Sequence, residues 1–364
     1  MSTTADGFAT SYRIARRNFV GAAMAAGLHV ASHVHPSQGI EGEELAMDVV
    51  IDGALDADKM VVLTSGCHGV EGYCGSGVQV AALGNAQWRA KARDAGVTVM
   101  YIHALNPFGF SFKRRTTHEN VDLNRNFQDF SQALPVNAGY RDLHSLLLPE
   151  VWPPDAANQA SIEAYIAQHG MTAFQAAVTR GQHEYPDGMF FGGTEATWSN
   201  LTLRSILKAH TASVRRIAWI DVHTGLGPSG LGERIFADKD DAKALARARQ
   251  WWGQTGYPVT SIYEGSSTSA VLTGMLFHAV HDECPQAEYT GIAMEYGTVP
   301  VLETMNAVRA DNWLNQHPDA SAELAQTIRQ QVLNAFFTDT PDWKKQIVDQ
   351  AMGAMREAVD GLSV

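Results

Sequence analysis

A histidine and a glutamate three positions apart, His68 and Glu71, lie in the glycine-rich stretch 66–72. This stretch follows the apolar run 60–63, which predicts a buried strand. Zinc accepts both an imidazole nitrogen and a carboxylate oxygen, and glycines let the backbone curl so that two such side chains converge. Two ligands do not complete a metal site, and this spacing also occurs by chance. The pair is therefore a hypothesis that needs a third ligand.

Two further apolar strands of the predicted sheet end in side chains of the same chemical kind. Residues 217–220 lead to His223, and residues 292–294 lead to Glu295. In open α/β sheets, ligand sites gather at the carboxyl ends of the strands. With the first pair, His223 would complete a two-histidine, one-carboxylate zinc site whose fourth position is open to water. Zinc lowers the pKa of that water, and Glu295 would be the general base that takes its proton.

Several motifs accompany these residues in a fixed order along the chain. They are Asn-Pro-Phe-Gly at 106–109, Arg-Arg-Thr at 114–116, Asp-Leu-Asn-Arg-Asn-Phe at 122–127 and Glu-Tyr-Gly-Thr at 295–298. In this order they resemble the motifs of the M14 zinc carboxypeptidases, with Phe108 where that family has an aspartate. The wider match, from residue 12 to residue 313, is most similar to the uncharacterised DUF2817 branch of that clan. The resemblance implies a zinc carboxypeptidase-like fold, a zinc cofactor and hydrolysis of an amide bond beside a free carboxylate.

The same resemblance implies a role for individual residues. The metal ligands would be His68, Glu71 and His223. The other implied roles are support of His68 by Asp122, oxyanion stabilisation by Arg114, binding of the substrate carboxylate by Asn124 and Arg125, base catalysis by Glu295 and closure over the substrate by Tyr263. A planar guanidinium grips a carboxylate through two parallel hydrogen bonds, which a lysine cannot match.

The sequence leaves more than one function open. Residues 221–225, Asp-Val-His-Thr-Gly, resemble the aspartoacylase and succinylglutamate desuccinylase side of the clan, whose members cleave N-acyl amino acids. The second hypothesis is therefore an N-acyl amino acid deacylase on the same zinc centre. Residues 268–272 carry no charge that would select a basic side chain, which indicates a neutral or apolar preference. The alternative of another class is a non-catalytic ligand-binding protein, and the presence of Glu295 counts against it.

Some of these side chains also have an ordinary structural interpretation. Arg114 and Arg125 could be solvated surface arginines, and Glu295 could cap the loop that follows it. Asp221 shares a strand face with His223, since residues two apart on a strand point the same way. An aspartate at that position could equally bond to a neighbouring loop, so its role stays open.

Composition and charge restrict the class of partner. The chain has 364 residues, of which 45% are hydrophobic and 18% are charged, and its formal net charge is −12. This composition is typical of a globular protein with a large core. A negative surface repels phosphate backbones and anionic lipid, so we expect neither nucleic-acid nor membrane partners. The expected partner is a small peptide or an N-acyl amino acid with a free carboxylate, and homo-oligomerisation is left open.

Two features bear on the compartment. The chain has three cysteines, an odd and sparse set that is no disulfide framework and favours a reducing, cytoplasmic location. Arg16 and Arg17 precede a run of small apolar residues, as in a twin-arginine export signal. Histidines soon interrupt that run, so an amphipathic helix over residues 8–27 is the favoured interpretation.

The alternation of strands and helices predicts the fold class. We expect an α/β protein with a mixed, mainly parallel central sheet covered by helices on both faces. The chain reads as a single zinc carboxypeptidase-like domain over residues 1–364. Within it, residues 131–215 are less regular and are predicted to be a helical and loop insertion that caps the cleft.

Overall fold

The computed structural model describes residues 7–236, 238–254 and 256–364. Its strands are β1 (Val30–Gln38), β2 (Glu44–Asp52), β3 (Lys59–Ser65), β4 (Thr98–His103), β5 (Arg216–Ser229), β6 (Gly232–Phe236), β7 (Val259–Ser261) and β8 (Glu288–Gly297). Its helices are α1 (Tyr12–Ala25), α2 (Gly72–Gly84), α3 (Ala86–Asp94), α4 (Pro107–Phe112), α5 (Ala138–Leu147), α6 (Ala156–His169), α7 (Met171–Thr179), α8 (Trp198–His210), α9 (Ala242–Trp252), α10 (His278–Glu283), α11 (Val301–Gln316), α12 (Ala322–Phe336) and α13 (Pro341–Leu362). Within the described ranges, none of these helices has the length and apolar character needed to cross a membrane.

The strands form one mixed sheet in the order β1-β2-β4-β3-β5-β8-β6-β7. The central strands β4, β3, β5 and β8 run parallel to one another, and antiparallel pairs join the outer strands to them. Side chains alternate between two cores: Val61 and Leu63 pack with α1, α2 and α13, whereas Met60 and Val62 pack with α8 and α10. The sheet is thus covered on both faces, as the sequence predicts.

The boundaries of some elements differ from the sequence pattern for local reasons. The helical pattern at 77–92 is divided into α2 and α3, because the Asn85 side chain accepts a hydrogen bond from the backbone N–H of Trp88 and begins a new helix. The sequence does not predict the outer strands β1 and β6, whose frequent polar residues give them only a weak apolar period.

The first helix is amphipathic and belongs to the fold. It begins at Tyr12 rather than at residue 8, because the Ser11 hydroxyl accepts the backbone N–H of Ile14. Tyr12 and Phe19 are buried in the core. Arg16 lies one turn after Tyr12 on the same face of the helix, and its Nε donates to Oδ2 of the buried Asp48 at 2.8 Å.

The segment 131–215 contains α5 to α8 and packs against α11. Arg309 donates from Nε to the carbonyl oxygen of Leu147 at 2.9 Å, and Asn312 donates from Nδ2 to that of Gly188 at 2.9 Å. These bonds from one helix fix two distant parts of the segment relative to the sheet.

The turn after β3 is held by backbone contacts that only glycine permits. Gly66 has a φ of +68°, which favours glycine. Gly69 lies so close to α4 that a Cβ there would overlap the carbonyl carbon of Gly109. The N–H of Gly69 donates to the carbonyl oxygen of Arg115 at 3.1 Å, which fixes the turn against the loop after α4.

We expect Gly69→Ala to destabilise the protein by about 3 kcal/mol, because backbone atoms cannot rotate away from the added methyl group. Gly84→Ala is the matched control, since a Cβ at this exposed end of α2 meets nothing within 4 Å. The control should change stability by less than about 1 kcal/mol, in the stabilising direction. Denaturant unfolding measures both values, and equal stability of the two variants would contradict the close approach.

Candidate functional site

Three adjacent parallel strands bring the predicted site residues to one edge of the sheet. His223 lies opposite Glu295 in the β5–β8 pairing. His68 and Glu71 follow β3, which is the neighbour of β5 on its other side. All four side chains are buried on the side of the sheet where β3 ends. The sheet therefore joins residues that are far apart in the chain.

Three of these residues form a group that fits a metal ion. Their ligand atoms lie within 4.8 Å of one another. Nδ1 of His68 is 2.8 Å from Oε1 of Glu71 and 3.3 Å from Nδ1 of His223. Nδ1 of His223 is 3.0 Å from Oε2 of Glu71. Atoms at the corners of a tetrahedron, each 2.0–2.1 Å from zinc, are about 3.3 Å apart, so the spacing and the donor set suit a tetrahedral zinc ion.

The second nitrogen of His68 meets a carboxylate and an arginine. Nε2 lies 3.3 Å from Oδ1 of Asp122 and 2.8 Å from Nη2 of Arg115. Arg115 donates from Nε to Asp122 at 2.9 Å. Burial alone raises the pKa of Asp122, but Arg115 and Arg125 lower it well below its usual value. An ionised Asp122 is thus placed to accept the Nε2 proton of His68 when Nδ1 binds a metal.

A directional chain of hydrogen bonds ends at the second nitrogen of His223. The indole N–H of Trp219 donates to Oγ1 of Thr64 at 2.8 Å, and the Thr64 hydroxyl donates to Oδ1 of Asp221 at 2.5 Å. Oδ2 of Asp221 contacts Nε2 of His223, and neither atom has another hydrogen-bond partner among the described residues. Because an indole only donates, the Thr64 proton must point to Asp221, which leaves Oδ2 to accept from His223. This arrangement directs the Nδ1 lone pair of His223 toward the metal position.

Two carboxyl groups at the site have pKa values shifted in opposite directions. Burial alone raises the pKa of Glu71, but His68 and His223 lower it well below its usual value. Burial and then the charge of Glu71 raise the pKa of Glu295 to about 8. The backbone N–H of Leu226 donates to Oε1 of Glu295 at 3.0 Å. Glu295 therefore carries a proton at neutral pH without a metal, and a bound cation would favour its ionised form.

The consecutive arginines of the 114–116 motif point in different directions. Arg114 donates to Asp311 at 2.9 Å, to Asn315 at 2.5 Å and to Asn120 at 3.0 Å, and it does not line the cavity. Arg115 lines the cavity and contacts the candidate metal ligands. The geometry therefore differs from the expectation that Arg114 faces the substrate, because its three nitrogens bind α11 and a neighbouring loop.

Asn124 and Arg125 reach the cavity from a short 3₁₀ turn. The Arg125 guanidinium donates to the carbonyl oxygen of Thr179 at 2.6 and 3.0 Å and to that of Asn124 at 2.9 Å. Burial lowers the pKa of Arg125 to about 10. The Phe190 ring contacts both cavity arginines, with its centroid 4.9 Å from Cζ of Arg115 and 5.6 Å from that of Arg125. A buried guanidinium on a cavity wall suits an anionic ligand.

The cavity around these groups has a volume of about 100 Å³. Its apolar wall includes Met275 and Phe277 on one side and Val308 and Phe336 on another. The 131–215 segment adds Gln175, Thr179 and Phe190. The site is therefore polar at the strand ends and apolar around them, as in many small-molecule sites.

Tyr263 does not line the cavity. Its hydroxyl donates to the carbonyl oxygen of Asp238 at 2.8 Å, away from the candidate metal ligands. The sequence pattern did not single out Arg115, Phe190 or Gln175. Arg115 lies in a motif that the sequence identifies, whereas the other two lie in the segment 131–215, whose sequence pattern is less regular.

Asp221→Asn should weaken zinc binding by about 10–100-fold, because an amide can donate to Nε2 of His223 and favour the wrong tautomer. Thr64→Val should give a smaller loss in the same direction. Competition with a chromophoric chelator measures the zinc dissociation constants. Asp52→Asn is the matched control, since Asp52 is also buried but pairs with Arg89 and does not line the cavity. Unchanged zinc affinity in a folded Asp221→Asn protein would refute the orienting role.

Comparison with known proteins yields one family and several similar structures. No curated protein matches the chain. The carboxypeptidase A of Helicoverpa armigera is 12% identical with a TM-score of 0.47, and the match covers 91% of this chain and 75% of that chain. Thrombin activatable fibrinolysis inhibitor is 13% identical with a TM-score of 0.49, over 90% of this chain and 81% of that chain. A family model described as "Protein of unknown function (DUF2817)" matches residues 8–350, so the chain belongs to the DUF2817 family.

Proposed function

We propose that the protein is a zinc-dependent hydrolase that cleaves an amide bond next to a free carboxylate, as a carboxypeptidase does. The observation that carries this proposal is a buried His68–Glu71–His223 group that shares one cavity with Glu295 and Arg125. When bound there, zinc would supply a Lewis acid and a water of lowered pKa. The surrounding side chains would then transfer the protons and bind the substrate.

Glu295 suits the role of the group that takes and returns a proton. Its Oε1 is fixed by the backbone N–H of Leu226, and its Oε2 has no hydrogen bond from the described residues. Burial and Glu71 raise the pKa of Glu295 to about 8 without a metal, so the cavity favours the protonated carboxyl. A cation bound at the site would favour the ionised form, which could then accept the water proton at Oε2 and pass it to the leaving nitrogen.

The two cavity arginines suit different oxygens of a substrate. Each terminal nitrogen of Arg125 uses one N–H for a backbone carbonyl and keeps a second, which together can grip a carboxylate. Arg115 lies against His68 and Glu71, close to where the carbonyl oxygen of a scissile amide would gain negative charge. We therefore give Arg115 the role that the sequence suggested for Arg114. Asn124 would assist the carboxylate, and Asp122 would orient His68.

The 131–215 segment is proposed as an insertion that caps the cleft. It supplies Phe190, which contacts both arginines, and the Thr179 carbonyl, which orients the guanidinium of Arg125. The segment therefore shapes the substrate site and positions its charged groups.

The proposal is tested with zinc-loaded protein and acetyl-Ala-Leu, compared with the same compound amidated at its carboxyl terminus. Hydrolysis of the free acid should exceed that of the amide by about 100-fold or more in kcat/KM, because the amide cannot use the Arg125 clamp. Glu295→Gln should lower kcat by about 10²–10⁴-fold and keep zinc binding, since the amide preserves the acceptor for Leu226. Failure to bind any divalent metal, or equal rates on both compounds, would contradict the proposal.

The neighbouring arginines provide a matched pair of variants. Arg115→Met should lower kcat/KM by about 10²–10³-fold, because it removes a donor aimed at developing charge. Arg114→Met should mainly lower the free energy of unfolding, because the buried Asp311 loses its partner. Kinetics on zinc-saturated protein and denaturant unfolding separate the two effects. A larger loss of kcat/KM in Arg114→Met than in Arg115→Met would show that Arg114, and not Arg115, stabilises the oxyanion.

A further inference from the structure

A surface groove of about 560 Å³ begins where the candidate active-site cavity ends. The groove and the cavity share Gln175, Leu226 and Val301 in their walls. Arg125 lines the cavity and does not line the groove. The groove therefore opens on a part of the site that the proposed carboxylate clamp does not occupy.

Leu226 connects the groove directly to the reacting centre. Its backbone N–H donates to Oε1 of Glu295 at 3.0 Å, and the same residue lines the groove. A substrate with its carboxylate at Arg125 and its scissile amide beside Glu295 would extend past Leu226 on its amino-terminal side. This path leads from the cavity into the groove.

The groove carries no charged side chain. Beyond the shared residues, it is lined by the segments 227–229 and 298–300 and by Thr268, which supply glycine, proline, serine, threonine and valine. The chain as a whole has a formal net charge of −12. A neutral groove on such a chain suits an uncharged segment of a ligand and gives no partner to a charged one.

The groove wall also presents a backbone that the sheet does not pair. The β5–β8 ladder is interrupted between Thr224 and Ser229, so the four residues 225–228 form a bulge with no partner in β8. Gly225 and Gly227 have φ values of +127° and +92° within it. Bulges beside a site leave backbone groups free of the ladder, and an extended peptide can bond to such groups.

The volumes indicate how much of a ligand each space can hold. The cavity of about 100 Å³ is below the ~300–1,000 Å³ that encloses a typical small-molecule ligand. The groove of about 560 Å³ lies within that range. The groove thus has room for a longer part of a ligand than the cavity encloses.

We propose that the substrate is a peptide whose chain continues through this groove, with uncharged residues before the scissile amide. This proposal rests on the proposed function and chooses between its two substrate classes, because a single N-acyl amino acid would leave the groove empty. Binding energy gained in the groove is available to position the amide at Glu295.

A series of substrates that differ only in length tests the proposal. The series is acetyl-Leu, acetyl-Ala-Leu, acetyl-Ala-Ala-Leu and acetyl-Ala-Ala-Ala-Leu, assayed with the zinc-loaded full chain. We expect kcat/KM to rise by about tenfold or more from the first to the last compound. A kcat/KM that is highest for acetyl-Leu and falls with length would overturn the proposal in favour of a deacylase.

Binding to the zinc-loaded Glu295→Gln protein separates this proposal from the proposed function. Calorimetry on the same four compounds should give dissociation constants that decrease with length by about tenfold in total. If wild-type protein hydrolyses none of them, the proposed function fails, but tighter binding of longer peptides still supports the groove. Dissociation constants that do not change with length would overturn the groove whether or not hydrolysis occurs.

Substitution at Ser229 locates the effect. This exposed serine lines the groove and not the cavity, so Ser229→Trp should bring the kcat/KM ratio of the longest to the shortest substrate close to one. Ser131→Trp, at an exposed serine that lines neither space, is the matched control and should keep the wild-type ratio. A wild-type ratio in a folded Ser229→Trp protein would overturn the assignment.

A charge at the same position gives a second readout that does not depend on bulk. Ser229→Asp should favour acetyl-Ala-Lys-Ala-Leu over acetyl-Ala-Asp-Ala-Leu by several-fold relative to wild type, because the new carboxylate attracts one chain and repels the other. An identical preference in the two proteins would show that the peptide does not pass Ser229.

Discussion

The carboxylate of Glu71 is the interaction on which the site depends. Its Oε1 meets Nδ1 of His68, and its Oε2 meets Nδ1 of His223 and the backbone N–H of Thr224. A buried carboxylate costs several kcal/mol unless it is paired with a cation or with hydrogen-bond donors. In the metal-free protein a protonated histidine can provide that charge, and a divalent cation can replace the proton. Metal binding at this group would therefore be linked to folding and to proton release.

The sheet supplies the geometry that this cluster needs. Thr64 lies opposite Asp221 in the β3–β5 register, and His223 follows Asp221 on the same face. Trp219 precedes Asp221 on that face and bonds to Thr64 across the strands. The orientation of one candidate metal ligand is thus set by the pairing of two central strands. Placement of side chains on paired strands suits a site for a small ion, which needs precise geometry.

The residues that the sequence predicts well are those fixed by strand ends. His223 and Glu295 follow apolar runs, and the position of a parallel strand's carboxyl end decides where they lie. Arg114 and Arg115 are different, because consecutive loop residues point in directions that only tertiary contacts decide. Arg114 turns to Asp311, which lies far along the chain in α11, and no local pattern reveals that partner.

The charged groups that line or adjoin the cavity indicate how, under the proposed function, the carboxylate of a substrate would promote its hydrolysis. The carboxylates are Glu71, Asp122, Asp221 and Glu295, and the guanidinium groups are Arg115 and Arg125. With a divalent cation bound and Glu295 ionised, these groups sum to zero. The carboxylate of a substrate at Arg125 then adds one negative charge, which raises the proton affinity of Glu295. Under the proposed function, the clamp would do more than select the substrate, because the anion that it holds would make Glu295 a stronger base. A carboxyl-blocked substrate would lose both its anchor and this gain in basicity.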